Sequence, residues 1–158
     1  MDADRFGIGL SVSLAWLLGP LALLAWATTL PFLLPSLGPS AYVLATRERS
    51  WRAVAREVAI GQAVGVLVAA VAVRVFVGPL ASITLLPHTV VGLHQIVAVV
   101  VAVVAATLGM TVFEARHAPA YATVLIFALG IPARAIDVLV FLGGVAMLLV
   151  LDALRVRA

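Results

Sequence analysis

Ser36, Gly38, Ser40 and His117 are the residues of this chain best suited to hold a small anion. Ser36-Leu37-Gly38-Pro39-Ser40 reads as a helix start, because proline suits a first helical turn, where its missing N–H would be unpaired anyway. Ser36 or Ser40 can accept from the free N–H groups of that turn. His117-Ala118-Pro119-Ala120 reads the same way, with a neutral, hydrogen-bonding imidazole just before a proline-led helix. Two such N-termini meeting in a low-dielectric interior would present free N–H groups and positive dipole ends, which favour anions. The same residues equally describe two plain helix starts whose Ser and His caps face a loop. Tyr42, Tyr121 and Thr123 fall about one turn further into these helices, placed to close such a site, and Arg56 is placed to draw anions toward it.

Those two starts belong to a phrase that the chain uses twice. Pro39-Ser40-Ala41-Tyr42-Val43-Leu44 returns as Pro119-Ala120-Tyr121-Ala122-Thr123-Val124-Leu125. Each copy sits between two long apolar runs, in a stretch broken by Pro and Gly: Pro31, Pro35, Gly38 and Pro39 in the first, Pro119, Gly130 and Pro132 in the second. Paired broken segments at matching positions in two halves are a sequence pointer to a transport site. A weaker echo relates Gly61-Gln62-Ala63-Val64-Gly65 and Arg74-Val75 to Gly143-Gly144-Val145-Ala146-Met147 and Arg155-Val156. The expected organisation is one membrane domain over 1–158, with repeats at about 1–79 and 80–158.

Composition requires a membrane setting for these elements. The 158 residues are 65% hydrophobic and 11% charged, whereas soluble domains are about one-quarter charged. Mean hydropathy is +1.23. Apolar runs at Phe6–Thr28, Val58–Val77, Val90–Phe113 and Ile131–Leu151 approach or exceed the roughly 18 residues of a spanning helix. In lipid such runs must be helical, because no water satisfies their backbone groups. The N-terminus lacks a cationic n-region, so the first run is expected to be a retained helix. The fold class expected is an all-α polytopic membrane protein with four long helices and two short broken segments.

The charges punctuate the helices. Arg47, Glu48, Arg49, Arg52, Arg56 and Glu57 form the densest cluster, expected as a cytoplasmic loop with Trp51 at headgroup level, while the uncharged turn at Gly78-Pro79-Leu80-Ala81-Ser82 suits the outside. If the two broken segments dip in and return, there are four crossings and the termini lie outside. If they cross, there are six, both termini are cytoplasmic, and the halves are inverted. The second arrangement obeys the charge bias better, leaving only Arg134 and Arg74 outside.

Other chemistry finds little support. Cysteine is absent, which excludes disulfides and thiolate sites. All ten basic residues are arginine and the net charge is +3, but they lie at helix ends with no basic face interleaved with aromatics, so lipid headgroups rather than nucleic acid are the expected partner. His88 and His94 do not make a metal pair, Arg134 and Asp137 suit a surface ion pair, and Asp137 and Asp152 lie too near helix ends for an acid/base pair. No hydrolase elbow, zinc motif or phosphate loop appears, and no cofactor is implied. Gln62 and Gln95, the main polar groups inside the long helices, must find partners and are expected to face the interior; Gly61-x-x-x-Gly65 permits close helix packing.

From Pro35 to Gly130 the chain resembles the HPP family of small integral membrane proteins. Ser36-Leu37-Gly38-Pro39-Ser40-Ala41 is similar to its S-x-G-[AP]-[ST]-A segment. Ala55-Arg56-Glu57-Val58-Ala59-Ile60-Gly61-Gln62 is similar to its P-R-N-x-x-x-G-H segment. His117-Ala118-Pro119-Ala120-Tyr121-Ala122-Thr123-Val124-Leu125 is similar to H-P-P-A-G-A-T-A-L, with His-Ala-Pro standing for the naming His-Pro-Pro. Gln62 stands where the family has His, Ala55 where it has Pro, and Tyr121 where it has Gly. The resemblance implies four transmembrane helices and transport, with nitrite linked to some plastid and cyanobacterial members. The reading is a permease or channel-like protein of a prokaryotic cytoplasmic membrane, carrying a small inorganic anion, nitrite first among candidates. Ser36, Gly38, Ser40, Tyr42, Arg56, Gln62, His117, Tyr121 and Thr123 are its candidate site. A structural or regulatory membrane module is the alternative, and self-association into a homo-oligomer stays open.

Overall fold

A computed structural model describes residues 3–78, 88–131 and 134–157. Among them are six helices in the order long, short, long, long, short, long. They are α1 (Ala3–Thr28), α2 (Leu37–Ala45), α3 (Trp51–Phe76), α4 (Val90–Val112), α5 (Ala120–Ala128) and α6 (Ala135–Arg157). No strand occurs among the described residues. The long helices are the expected apolar runs, and all four are long and apolar enough to cross a bilayer. Pro79, Leu80, Ala81 and Ser82 of the expected outer turn, together with Pro132 and Ala133, lie outside the described residues.

Two expected boundaries move. The stretch Trp51–Glu57 is the first two turns of α3 rather than loop. Nothing in Trp51-Arg52-Ala53-Val54-Ala55-Arg56-Glu57 breaks a helix. Arg49, in the preceding turn, forms a two-armed pair with Glu57 at 2.8 and 2.7 Å. The hydrogen bond to Glu57, and then its charge, raise the Arg49 guanidinium above its ordinary pKa. Trp51 is half-buried, with its Nε1 buried and lacking a partner. At the other end of the chain, α6 starts at Ala135 and continues to Arg157, past the expected Leu151.

Contacts set the direction of each element. Ser13 and Trp16 near the start of α1 bond to Arg155 and the Leu151 carbonyl near the end of α6. Ala25 and Thr29, at the end of α1, share a cavity with Arg134 and Asp137 at the start of α6. The two helices are therefore antiparallel. The α2 helix runs with α6: Leu37 and the Phe32 carbonyl pack on Gly144, and the Leu44 carbonyl accepts from Arg155. Arg56 donates to the Phe113 carbonyl at 2.8 Å, so the start of α3 meets the end of α4. The α5 helix runs with α3, since Gly61 packs on His117 and Gly65 on the Ala120 carbonyl. It ends where Gln95, near the start of α4, donates to the Leu129 carbonyl.

The chain between α1 and α3 thus runs from the end of the bundle holding Thr29 and Arg134 to the end holding Arg47 and Arg155. The chain between α4 and α6 runs the opposite way. A nine-residue helix is only about 13 Å long, less than half of a roughly 30 Å hydrocarbon layer. In each passage an irregular lead precedes the short helix, residues 29–36 before α2 and 113–119 before α5. Each lead is packed against protein, where irregular backbone at membrane depth is tolerated.

Small residues allow this compactness. The buried stripe of α4 is Gly92, Gln95, Ala98, Ala102, Ala106 and Met110. Its spacing of three and four residues puts Gly92, Ala98, Ala102 and Ala106 on one face. Small faces of this kind let helix backbones approach closely in a bilayer.

Candidate functional site

His117, on the lead to α5, and Ser40, in the first turn of α2, meet beside the middle of α3. The Ser40 Oγ lies 3.0 Å from His117 Nε2. Gln62 of α3 donates through Nε2 to Ser40 Oγ at 2.7 Å, and the same nitrogen lies 3.3 Å from His117 Nε2. Thr123 of α5 donates its hydroxyl to Gln62 Oε1. Ser40, Gln62 and Thr123 are fully buried, and His117 is 3% exposed. Four polar side chains from three helices and one lead thus form a single hydrogen-bonded cluster with no charged member.

The donor and acceptor roles follow from chemistry. The Thr123 hydroxyl fixes the amide oxygen of Gln62 on its own side, which turns the amide nitrogen toward Ser40 and His117. An amide nitrogen only donates, so its 3.3 Å contact with His117 Nε2 is a hydrogen bond in the neutral ring that carries its proton on Nδ1. The Ser40 hydroxyl has two acceptors within reach, His117 Nε2 and the Ser36 carbonyl, each at 3.0 Å.

Glycine makes the meeting possible. A Cβ at Gly61 would stand 2.6 Å from His117 Cβ, and one at Gly65 would stand 3.0 Å from the Ala120 carbonyl oxygen. Gly61-x-x-x-Gly65 is therefore the seat on which the α5 lead rests, as its spacing suggested.

The capping expectations fail. Ser36 is the N-cap of α2 but makes no side-chain cap bond, and its backbone is already in the helical region. A cap hydroxyl needs extended backbone to reach back to the second or third N–H. The Ser36 Oγ is buried and unpartnered. Ser40 turns its hydroxyl to its own helix, and the N-cap of α5 is Pro119, with no side-chain cap bond, rather than His117.

The remaining candidates do not converge. Tyr42 is 48% exposed and lines an open cavity of about 360 Å³ with Arg47, Glu48 and Arg49, at the arginine-rich end. The Tyr121 hydroxyl pairs with Thr107 on α4 at 3.0 Å. Arg56 is exposed, with its guanidinium on the Phe113 carbonyl. Gly38 is half-buried with open space where a Cβ would stand. A second open cavity, of about 320 Å³, lies between α1 and α6 at the other end, beside Thr29, Leu34, Arg134 and Asp137. Neither cavity is lined by a member of the polar cluster.

Asp152, set aside from its place in the sequence, is fully buried. It pairs with Arg47 at 2.9 Å and with Arg155 at 2.7 Å, while both arginines also donate to the Leu44 carbonyl that ends α2. Its spacing to Arg155 was a weak signal, and nothing in the sequence linked it to Arg47. The expected pair of Arg134 and Asp137 forms at 2.8 Å, but with Asp137 buried rather than on the surface. Asp137 raises the exposed Arg134 guanidinium above its ordinary pKa, first by hydrogen bonding and then by charge.

A family model described as the HPP transmembrane region matches residues 5–157. The chain belongs to the HPP transmembrane family. Together with four apolar helices of spanning length, this makes it a multi-pass membrane protein. No curated protein and no solved structure matches it. Within this HPP protein, the three segments that carried the family resemblance are the ones that supply Ser40, Gln62, His117 and Thr123 to one cluster.

Proposed function

We propose that this HPP protein passes a small inorganic anion, nitrite first among candidates, through a site where its two short helices begin. One observation carries the reading: Ser40 in the first turn of α2 and His117 on the lead to α5 are 3.0 Å apart, buried beside the middle of α3. Uncharged donors at paired helix starts suit a small anion, because they hold it without trapping it as a fixed cation would. The cluster is mutually bonded in this structure, so we read the state as closed. Passage requires α2 and α5 to part and expose Ser36, Ser40, Gln62, His117 and Thr123.

We further read the halves, about 1–79 and 80–158, as inverted repeats related by a pseudo-two-fold axis in the membrane plane. The alternation of long and short helices and the opposed directions of the two leads support it. The start of α1 and the end of α6, with Arg47, Arg49, Arg52, Arg56 and Arg116, fall at one end of the bundle, and Arg74 and Arg134 at the other. The positive-inside bias then puts both termini in the cytoplasm of a prokaryote, with six passages through the membrane. We assign no enzymatic step and no cofactor.

Proteoliposome flux across a panel of small anions tests the reading. His117→Ala and Ser40→Ala should each lower the affinity for the transported anion about ten- to a hundredfold, the effect of losing a hydrogen bond worth about 1.5–3 kcal/mol to a charged group. Folded wild-type protein that moves no small anion would replace the permease with a structural module. The tight seat of His117 on Gly61 and the self-satisfied cluster are the observations that favour that second reading.

A further inference from the structure

The Ser40 hydroxyl has one proton and two acceptors at equal distance, the Ser36 carbonyl and His117 Nε2 at 3.0 Å each. With the imidazole neutral, Ser40 donates to Nε2. With the imidazole protonated, Nε2–H donates to Ser40 Oγ and the Ser40 proton turns to the Ser36 carbonyl. That exchange sets the Nε2–H against the Gln62 amide nitrogen, a donor now 3.3 Å away, so the cluster hosts the charged ring only if Gln62 gives up this contact and keeps its bond to Ser40.

What changes is the local charge, and among the described residues no buried carboxylate beside the ring is free to balance it. On α3, Glu57 lies within electrostatic reach of His117 but is committed to Arg49, and Arg56 holds the Phe113 carbonyl. Glu114 and Arg116, on the lead itself, are exposed and of opposite sign. The α2 and α5 helices bring no charged residue, only Ser40 and Thr123. On α6, Asp137 and Asp152 are paired with arginines at the two ends of the helix. Buried charge without a partner is expensive, so an imidazolium here requires an anion beside it. Ser36 supplies a second feature of such a site. Its hydroxyl is fully buried and unpartnered, one turn before Ser40.

We propose that this site takes up a proton and a small anion together, the proton on His117 Nε2 and the anion against Ser36 and the first turn of α2. The balance is one proton from solution, one neutral imidazole and one anion giving one imidazolium–anion pair. Both are released together, so transport is electroneutral symport of a proton with a monovalent anion. The inference rests on the anion reading of the same site.

Calorimetry on the solubilised full-length protein tests it, with sodium nitrite and sodium nitrate as probes in two chloride-free buffers of different ionisation enthalpy. The expected result is a heat that differs between buffers by about one proton per anion bound, and an affinity that falls about tenfold per pH unit across the neutral range. In His117→Gln, which keeps a hydrogen-bonding group without a titrating one, the buffer dependence should vanish and the pH profile flatten. Ser36→Ala should weaken binding while leaving proton uptake at one per anion, and it supplies the check if His117→Gln does not fold. Anion binding with buffer-independent heat and a flat pH profile would overturn the coupling and leave the anion site standing. Absence of binding at every pH would overturn both.

Discussion

Gly61 and His117 are in backbone-to-side-chain contact so close that a methyl group on Gly61 would stand 2.6 Å from His117 Cβ. The backbone of α3 and the Cβ of His117 share that space, and neither is a flexible tip. Gly61→Ala should therefore push the α5 lead off α3, and Gly65→Ala should do so against backbone at 3.0 Å. Overpacking of this kind costs about 1–3 kcal/mol. Thermal unfolding in detergent should show the loss in both variants. Gly38→Ala, where a Cβ meets open space, should leave the melting temperature almost unchanged.

Gln62 is the member of the cluster that joins the others. Gln62→Leu removes the acceptor for Thr123 and the donor to Ser40 and leaves both hydroxyls buried. The Thr123 hydroxyl is orphaned, at a cost of about 1–3 kcal/mol, while Ser40 loses a donor but keeps His117 Nε2 and the Ser36 carbonyl. The expected outcome is a larger loss of stability than for Thr123→Val, which removes one hydroxyl and restores nothing polar to the interior. Equal melting temperatures for the two variants would contradict the joined geometry.

Asp152 holds two arginines at the end of α2. Asp152→Ala should cost about 3–5 kcal/mol, because it leaves two guanidinium groups clustered without their counter-charge. Arg47→Met combined with Asp152→Leu should recover part of the loss. A double-mutant cycle in denaturant reads the coupling, and additive effects would show that the pair is not coupled.

Cysteine labelling is clean, since the protein has no native cysteine. Arg157→Cys and Glu48→Cys should react with a membrane-impermeant reagent from one side, and His88→Cys only from the other. Labelling of Arg157→Cys and Glu48→Cys from opposite sides would refute the shared end of the bundle.

Tyr42→Ala should change anion flux little. The ring is 48% exposed and lies apart from the cluster. Flux measured beside Ser40→Ala separates the two faces of α2.

The sequence by itself determined the membrane class, the four long helices and the two short ones. Long charge-free runs can only be helices in lipid, and the clustered Pro and Gly at 31–39 and 119–132 shorten the segments between them, whereas the single Gly19-Pro20 pair leaves α1 unbroken. It also singled out Gln62, because a polar residue in an apolar helix must find partners, and Ser40, His117 and Thr123, because they sit at or one turn inside two proline-led helix starts. The spacing of Gly61 and Gly65 announced a close contact without naming the other side. Only the tertiary structure decided that Ser40 and His117 face one another, that Tyr42, Tyr121 and Arg56 face elsewhere, and that Asp152 is buried between Arg47 and Arg155. A nine-residue helix is too short for its periodicity to fix which face turns inward. Its rotation is set by what packs on it, through contacts such as Leu37 on Gly144 and His117 on Gly61, which join residues far apart in the chain.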